Sequence, residues 1–168
     1  MKKSLAAAMT TALLLAAVAH AAPDEIAAPK GAKMLLAATA EGVQIYVCEA
    51  KDQAFAWTFK SPEAALFDDG GRQLLSHFAG PSWKADDGTT VVGEVVAKAD
   101  SPKPDAIAWL LLRIKSREGS GPLAKAGFVR RIDTSGGMPP VAGCDAGHAG
   151  TAARMRYSAV YEFYAAGE

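Results

Sequence analysis

Residues 73–98 read QLLSHFAGPSWKADDGTTVVGEVVAK and show the pattern on which this chain is built. Short apolar runs (QLLSHF, SWK and TTVVGEVVAK) alternate with turn residues, and the turn Asp86-Asp87-Gly88 separates the last two runs. Asp-Gly between apolar runs is a strong hairpin signal, because both residues tolerate a positive φ angle. The stretch therefore predicts consecutive antiparallel strands joined by tight turns.

The same alternation of apolar and polar residues continues on both sides of this stretch. The clearest further runs are VQIYVC at 43–48, FAWTF at 55–59, GFVRRID at 127–133 and RMRYSAVYEFY at 154–164. The last run places Tyr157, Tyr161 and Phe163 on one face, which we expect to be core. The sequence predicts an all-β fold, a single antiparallel sandwich or barrel of about nine short strands over residues 34–165.

Two runs depart from a simple alternation of one apolar and one polar face. IAWLLLRIK at 107–115 is apolar on both faces until Arg113, which is typical of a strand that starts in the middle of a sheet and emerges into solvent. In GFVRRID, Arg130 and Arg131 lie on opposite faces. Asp133 shares the face of Arg131, and we expect a cross-strand ion pair there.

The first 21 residues have the three parts of a secretory signal. Lys2 and Lys3 form the basic start, residues 5–18 the apolar middle, and Ala19-His20-Ala21 a cleavage site of small residues. Residues 22–33 are an N-terminal extension, and no stretch after residue 21 is apolar enough for a transmembrane segment. The mature protein is predicted to be periplasmic or secreted.

The charge balance excludes some partners. The chain has 18 Lys and Arg and 18 Asp and Glu, and cleavage of the signal removes Lys2 and Lys3, so the mature chain carries a net charge of −2. Nucleic acids and anionic membranes attract proteins that have a basic surplus. We therefore predict no nucleic acid partner.

Cys48 and Cys144 are the two cysteines of the chain. An even pair in an oxidising compartment predicts one disulfide bond. The alternative is two buried free thiols. The disulfide would tie the irregular segment 134–151 to the strand that ends at Cys48.

HFAGPSW at 77–83 is the densest cluster of residues that could form a site, because the Gly80-Pro81 bend can bring the flanking His77 and Trp83 together. One interpretation is a small ligand pocket made of His77, Trp83, Trp57 and the turn carboxylates of Asp86 and Asp87. The other is a buried corner in which His77 bonds a backbone carbonyl and Trp83 covers the core. Aromatic residues at strand ends favour the buried corner.

Cofactor motifs give no support to a nucleotide or metal site. GSGPLA at 119–124 matches a dinucleotide-binding pattern, but the long helix that this pattern needs does not follow it. His148, in segment 134–151, is the other histidine after the signal, and a metal site would need it to converge with His77 and a carboxylate. We predict no cofactor and no metal, and retain His148 as a candidate ligand-binding residue.

Several separated motifs resemble an exported bacterial and fungal family known only as a domain of unknown function (3455). They include GVQIYVC, HFAGPSWKADDG, RRIDTSGGMPP and YSAVYEFY, and the resemblance runs from about residue 34 to residue 164. It implies an all-β exported domain with Cys48 and Cys144 paired. It implies no activity.

The leading functional hypothesis is a non-catalytic domain that binds a small molecule, a glycan or a partner protein. A first alternative is an extracytoplasmic hydrolase that uses His77 with Asp86 or Asp87 as base and orienting group. This alternative lacks a nucleophile that is known to reach His77. A second alternative is a purely structural envelope protein.

Overall fold

The computed structural model describes residues 23–165, so the predicted signal at 1–21 lies outside the described residues. These residues form eight strands and three short 3₁₀ helices, Asp24–Ile26, Pro122–Lys125 and Ala146–His148. The strands are β1 Lys33–Lys51, β2 Ala54–Phe67, β3 Gln73–Phe78, β4 Ser82–Ala85, β5 Thr90–Ala99, β6 Trp109–Glu118, β7 Ala126–Gly136 and β8 Ala152–Ala165.

All eight strands belong to one antiparallel sheet that closes on itself. Each strand pairs with the next in the chain, and β8 pairs with β1, so the sheet is a closed barrel. The predicted all-β fold is confirmed, with eight strands rather than about nine. The predicted turn at Asp86-Asp87-Gly88 joins β4 to β5, and Gly88 has a φ of 86° there.

In the sequence, the run Met34 to Thr39 followed by Glu41-Gly42 predicts a strand that ends there. The strand count differs because β1 continues through Glu41-Gly42 instead. Gly42 lies opposite Ala64 in β2, and a Cβ atom added at Gly42 would be 2.2 Å from the Glu63 carbonyl oxygen. Glycine is therefore required at this position for a close approach of two strands rather than for a turn.

Gly42→Ala is expected to lower the free energy of unfolding by about 2 kcal/mol, because the new methyl group must push β1 and β2 apart. Chemical denaturation measures the change. Gly70→Ala is the matched control, since a Cβ at Gly70 meets only the Asp68 carboxylate at 3.2 Å. Equal stability of the two variants would contradict this role of Gly42.

The barrel interior holds a core of large side chains around Trp83. The Trp83 ring is fully buried and makes edge-to-face contacts with Tyr161 and Phe163, with ring centroids 5.8 Å and 5.7 Å apart. Tyr157 is buried as well, so the predicted aromatic face of β8 is core. Gly93 leaves room for the indole, because a Cβ there would be 3.2 Å from the Trp83 ring.

A second apolar cluster covers the outside of β6. Trp109 and Leu111 pack with Ala99 and with Ile26 of the first 3₁₀ helix, whereas Leu112 belongs to the interior core. Both faces of β6 are therefore buried where the strand begins, which explains why the sequence is apolar on both faces there.

Cys48 and Cys144 form the predicted disulfide, with their Cα atoms 5.3 Å apart. Two backbone hydrogen bonds hold the same segment to β1: Gly150 N–H donates to the Cys48 carbonyl at 2.8 Å, and Cys48 N–H donates to the Thr151 carbonyl at 2.9 Å. The long segment after β7 is thus fastened across the end of β1. A disulfide is compatible with an extracellular location.

Within residues 23–165, no helix has the length and apolar character needed to cross a membrane.

Candidate functional site

The barrel wall is open between β2 and β5 because the two strands between them are short. β3 and β4 contain 6 and 4 residues, whereas β2 and β5 contain 14 and 10. β3 pairs with β2 only at residues 64–67, and β4 pairs with β5 only at residues 90–92. Within the described chain, residues 54–63 and 94–99 therefore have no strand partner on the side of the opening.

A cavity of about 260 Å³ lies at this opening and reaches into the barrel. Every strand contributes at least one side chain to its lining, which includes, from β1 to β8, Gln44, Phe59, His77, Trp83, Val95, Leu112, Arg131 and Tyr161. An adjoining depression of about 350 Å³ shares Gln44, Phe59 and Arg131 with the cavity, and Lys98 and Met138 line it too. The closed barrel thus gathers residues that are far apart in the sequence.

His77 and Trp83 form part of the cavity lining, and the predicted proximity of these two residues is confirmed. They face each other across the β3–β4 hairpin, and their rings stack with centroids 4.7 Å apart and planes 6° apart. His77 Nδ1 donates to the Ser82 carbonyl at 2.8 Å, as the buried-corner interpretation predicts. The same two residues also line the cavity, whereas Trp57, Asp86 and Asp87 of the pocket interpretation do not.

His77 carries no charge at neutral pH. Its side chain is buried, and this burial lowers its pKa from 6.5 to about 4. The nearby Arg131 charge acts in the same direction, and the hydrogen bond to Ser82 only partly opposes both. Because a carbonyl can only accept, the neutral ring carries its proton on Nδ1, and Nε2 is a hydrogen-bond acceptor.

Two buried donors among the lining residues have no hydrogen-bond partner in the described chain. They are Trp83 Nε1 and Gln44 Nε2. The Gln44 amide lies near the Tyr157 hydroxyl but does not reach hydrogen-bond geometry with it. An unmade hydrogen bond of a buried donor costs about 1–3 kcal/mol, so such donors are uncommon unless another group satisfies them.

Arg131 lies at the cavity, and in the described chain neither it nor Asp133 forms the predicted cross-strand ion pair. Its Nε and Nη2 both donate to the Ala108 carbonyl, at 3.2 Å and 2.8 Å. Asp133 is exposed with a φ of 50°, at an irregular part of β7 where the alternation of faces is lost. Arg130 lies on the opposite face, as predicted, and pairs with Glu162 at 2.9 Å.

The structure does not bring the other candidate residues to this cavity. Trp57 Nε1 donates to the Ala142 carbonyl at 3.0 Å, so the indole holds the segment after β7 instead. His148 is exposed on the last 3₁₀ helix, where its Nδ1 lies 2.8 Å from the Asp145 carboxylate.

Asp86 and Asp87 line a separate cavity of about 580 Å³ that shares no lining residue with the one at His77. Asp87 accepts a hydrogen bond from Thr89 N–H at 2.8 Å and closes the β4–β5 turn. Gly119 and Gly121 of the GSGPLA motif pack against Thr89 and Asp87, and the helix that begins inside the motif, Pro122–Lys125, has four residues. The motif is therefore part of a strand connection.

Within residues 23–165, no group of three or more His, Cys, Asp or Glu side chains could hold a metal ion.

A family model described as "Protein of unknown function (DUF3455)" matches residues 29–165. The chain belongs to the DUF3455 family. The resemblance drawn from the separated motifs is thereby confirmed, and the match covers every strand of the barrel. No protein of curated function and no solved structure matches the chain. Membership of the DUF3455 family assigns no activity, so the function has to be argued from the site.

Sequence reasoning missed the residues that complete the cavity of this DUF3455 protein, above all Gln44, Phe59 and Arg131. One signal was present: Gln44 alternates with Tyr46 and Cys48, and a face that carries a disulfide cysteine is expected to be buried. A buried Gln on that face predicts an internal polar site. No comparable local signal marked Arg131.

Proposed function

We propose that this protein binds a small, largely apolar molecule in the cavity between β2 and β5, outside the cytoplasm. The observation that carries the proposal is a concave site at the barrel interior, with stacked rings in its lining and two unpartnered buried donors among them. Ligand sites are mostly apolar and contain a few polar groups that fix orientation. The disulfide supports the extracytoplasmic location.

The size and rim of the cavity support a small ligand. Its volume of about 260 Å³ is just below the usual lower limit for ligand pockets, about 300 Å³, and the adjoining depression extends it. At the rim, Phe59 is 47% exposed and Val95 is 52% exposed. Exposed apolar side chains around a concave site are typical of a binding surface.

The contacts of His77 favour binding over hydrolysis. Its Nδ1 is occupied by the Ser82 carbonyl, so this atom is not free for an orienting carboxylate. Asp86 and Asp87, the predicted orienting groups, line another cavity. Ser82 Oγ, a possible nucleophile near His77 in the sequence, donates instead to the Ala79 carbonyl at 2.9 Å.

A glycan platform of stacked rings would need exposed aromatic residues on β8, whereas Tyr157, Tyr161 and Phe163 are buried.

Val95→Trp tests the proposal, because the larger side chain would cover the cavity entrance without entering the core. The probe is 4-phenylbutyramide, an uncharged molecule with one ring and a short chain. The wild-type protein is expected to bind it, with a change in tryptophan fluorescence from Trp83 and a raised melting temperature. Val95→Trp is expected to weaken binding by about tenfold or more, which corresponds to the loss of about 1.4 kcal/mol of contact.

Val96→Trp is the matched control. Val96 is the next residue, is 48% exposed and does not line the cavity, so its substitution adds the same indole outside the site. Equal loss of binding in both variants, or no binding of the probe by wild type, would overturn the proposed function.

A further inference from the structure

Arg131 brings an uncompensated positive charge into the cavity. In the described chain no carboxylate lies within ion-pair distance of its guanidinium, which is half-buried. Arg130, the preceding residue, has both Glu162 and the Tyr164 hydroxyl as partners. The two arginines therefore differ in what satisfies them, although they are neighbours on one strand.

The hydrogen bonds of Arg131 leave one edge of its guanidinium free. Nε and the near N–H of Nη2 share the Ala108 carbonyl, which fixes the orientation of the plane. The Tyr161 hydroxyl lies near the guanidinium. The Nη1–Nη2 edge, with two parallel N–H groups, does not reach hydrogen-bond geometry with a described residue. Such an edge matches the two oxygens of a carboxylate.

The charge of Arg131 acts on several groups around the cavity. It lowers the pKa values of His77, Tyr46, Tyr157 and Tyr161, against the stronger effect of burial on the three tyrosines. Arg131 lines the cavity, and its charge acts on four buried groups on three strands. A half-buried cation without a counter-ion is costly, and a bound anion would remove that cost.

The other charged residues that line the cavity and the adjoining depression are also positive. Lys60 lines the cavity and Lys98 the adjoining depression, while no Asp or Glu lines either of them. Lys60 is paired with Glu49 at 2.5 Å, whereas Lys98 is exposed and has no ion-pair partner among the described residues. His77 is neutral, so it adds no charge to the cavity.

We propose that the ligand of this cavity is a small carboxylic acid, with its apolar or aromatic body against the Trp83, Tyr161 and Phe59 rings and its carboxylate on the free edge of Arg131. This inference rests on the proposed function and adds the chemical class of the ligand. A single planar guanidinium in a mostly apolar cavity fits a monoanion, since a phosphate dianion would need more donors than this lining supplies.

The test compares 4-phenylbutyrate with 4-phenylbutyramide, two probes of the same shape that differ in charge. Isothermal titration calorimetry at neutral pH is expected to show the acid binding about tenfold tighter, the ratio that a charge-assisted hydrogen bond supports. Arg131→Gln is expected to abolish this preference, so that the acid and the amide bind with affinities within about twofold of each other. Arg113→Gln is the matched control, because Arg113 is exposed and pairs with Glu94 away from the cavity.

A second variant keeps the test decisive if Arg131→Gln fails to fold. Lys98→Gln changes an exposed side chain and is expected to weaken binding of the acid about twofold to threefold more than binding of the amide. Equal affinity of wild type for acid and amide would overturn the carboxylic acid proposal and leave the proposed function standing. Binding of neither probe would overturn the proposed function and this inference with it.

Discussion

Cys48→Ser combined with Cys144→Ser is expected to lower the free energy of unfolding by about 4–5 kcal/mol in the loop-entropy description of disulfide bonds. The bond closes a sequence separation of 96 residues, so its loss greatly increases the number of conformations open to the unfolded chain. The native fold is expected to persist. Tyr46 OH, Trp57 Nε1 and Gly150 N–H still hold the segment after β7 to the β1–β2 hairpin.

Urea unfolding measures the effect, and the midpoint is expected to fall by roughly 2 M for a domain of this size. The control is wild-type protein in a reducing agent, which should match the double variant, while the double variant itself should not respond to the reductant. A stability change below about 1 kcal/mol would contradict the loop-entropy account.

The second large effect is a loss of stability in mild acid that depends on His77. Its pKa is lowered by burial to about 4 in the folded protein, against 6.5 for an ordinary histidine. As the pH falls below 6.5, the unfolded chain binds a proton that the folded chain does not bind. Stability contributed by neutral His77 is therefore complete above this range and declines toward pH 4, by about 3 kcal/mol in total.

Free energies of unfolding measured across this pH range test the prediction. His77→Asn places an amide N–H near the position of Nδ1 without a titratable ring, and is expected to flatten the curve between about pH 6.5 and pH 5. His148→Asn, in which His77 is intact, is expected to keep the decline. Below about pH 5, protonation of hydrogen-bonded carboxylates such as Asp68 and Asp87 adds to the loss in both variants, because their pKa values are lowered in the fold. Parallel curves for wild type and His77→Asn would contradict the assignment.

The neutral state of His77 also bears on the ligand. A protonated imidazole in the lining would add a second charge beside Arg131, at the cost of burying it against the Trp83 ring. The fold excludes that charge at neutral pH, and Lys60 is paired with Glu49, so the proposed carboxylate contact falls to Arg131. Acid conditions that protonate His77 are expected to weaken the fold rather than strengthen the site.

Much of the fold could be predicted because its signals are local. The Asp86-Asp87-Gly88 turn needs residues that tolerate positive φ, and alternation with period two marks a strand whichever strand it pairs with. The same reasoning predicted a strand end at Gly42, where β1 in fact continues. In sequence, a glycine that ends a strand cannot be distinguished from a glycine that allows a neighbouring strand to approach closely. The direction of one face was missed although Cys48 signals it: Val43, Ile45 and Val47 face outward, while Gln44, Tyr46 and Cys48 are buried.

The sequence by itself determined the all-β class, the hairpin from His77 to Trp83, the pairing of the two cysteines and the family. These depend on residue type and on spacing along the chain. The tertiary structure decided that β8 closes on β1, that short β3 and β4 leave the wall open, and that Arg131 meets Gln44 and Tyr161 there. Such contacts join residues from distant strands, and which strands meet depends on the packing of the whole barrel rather than on any local stretch.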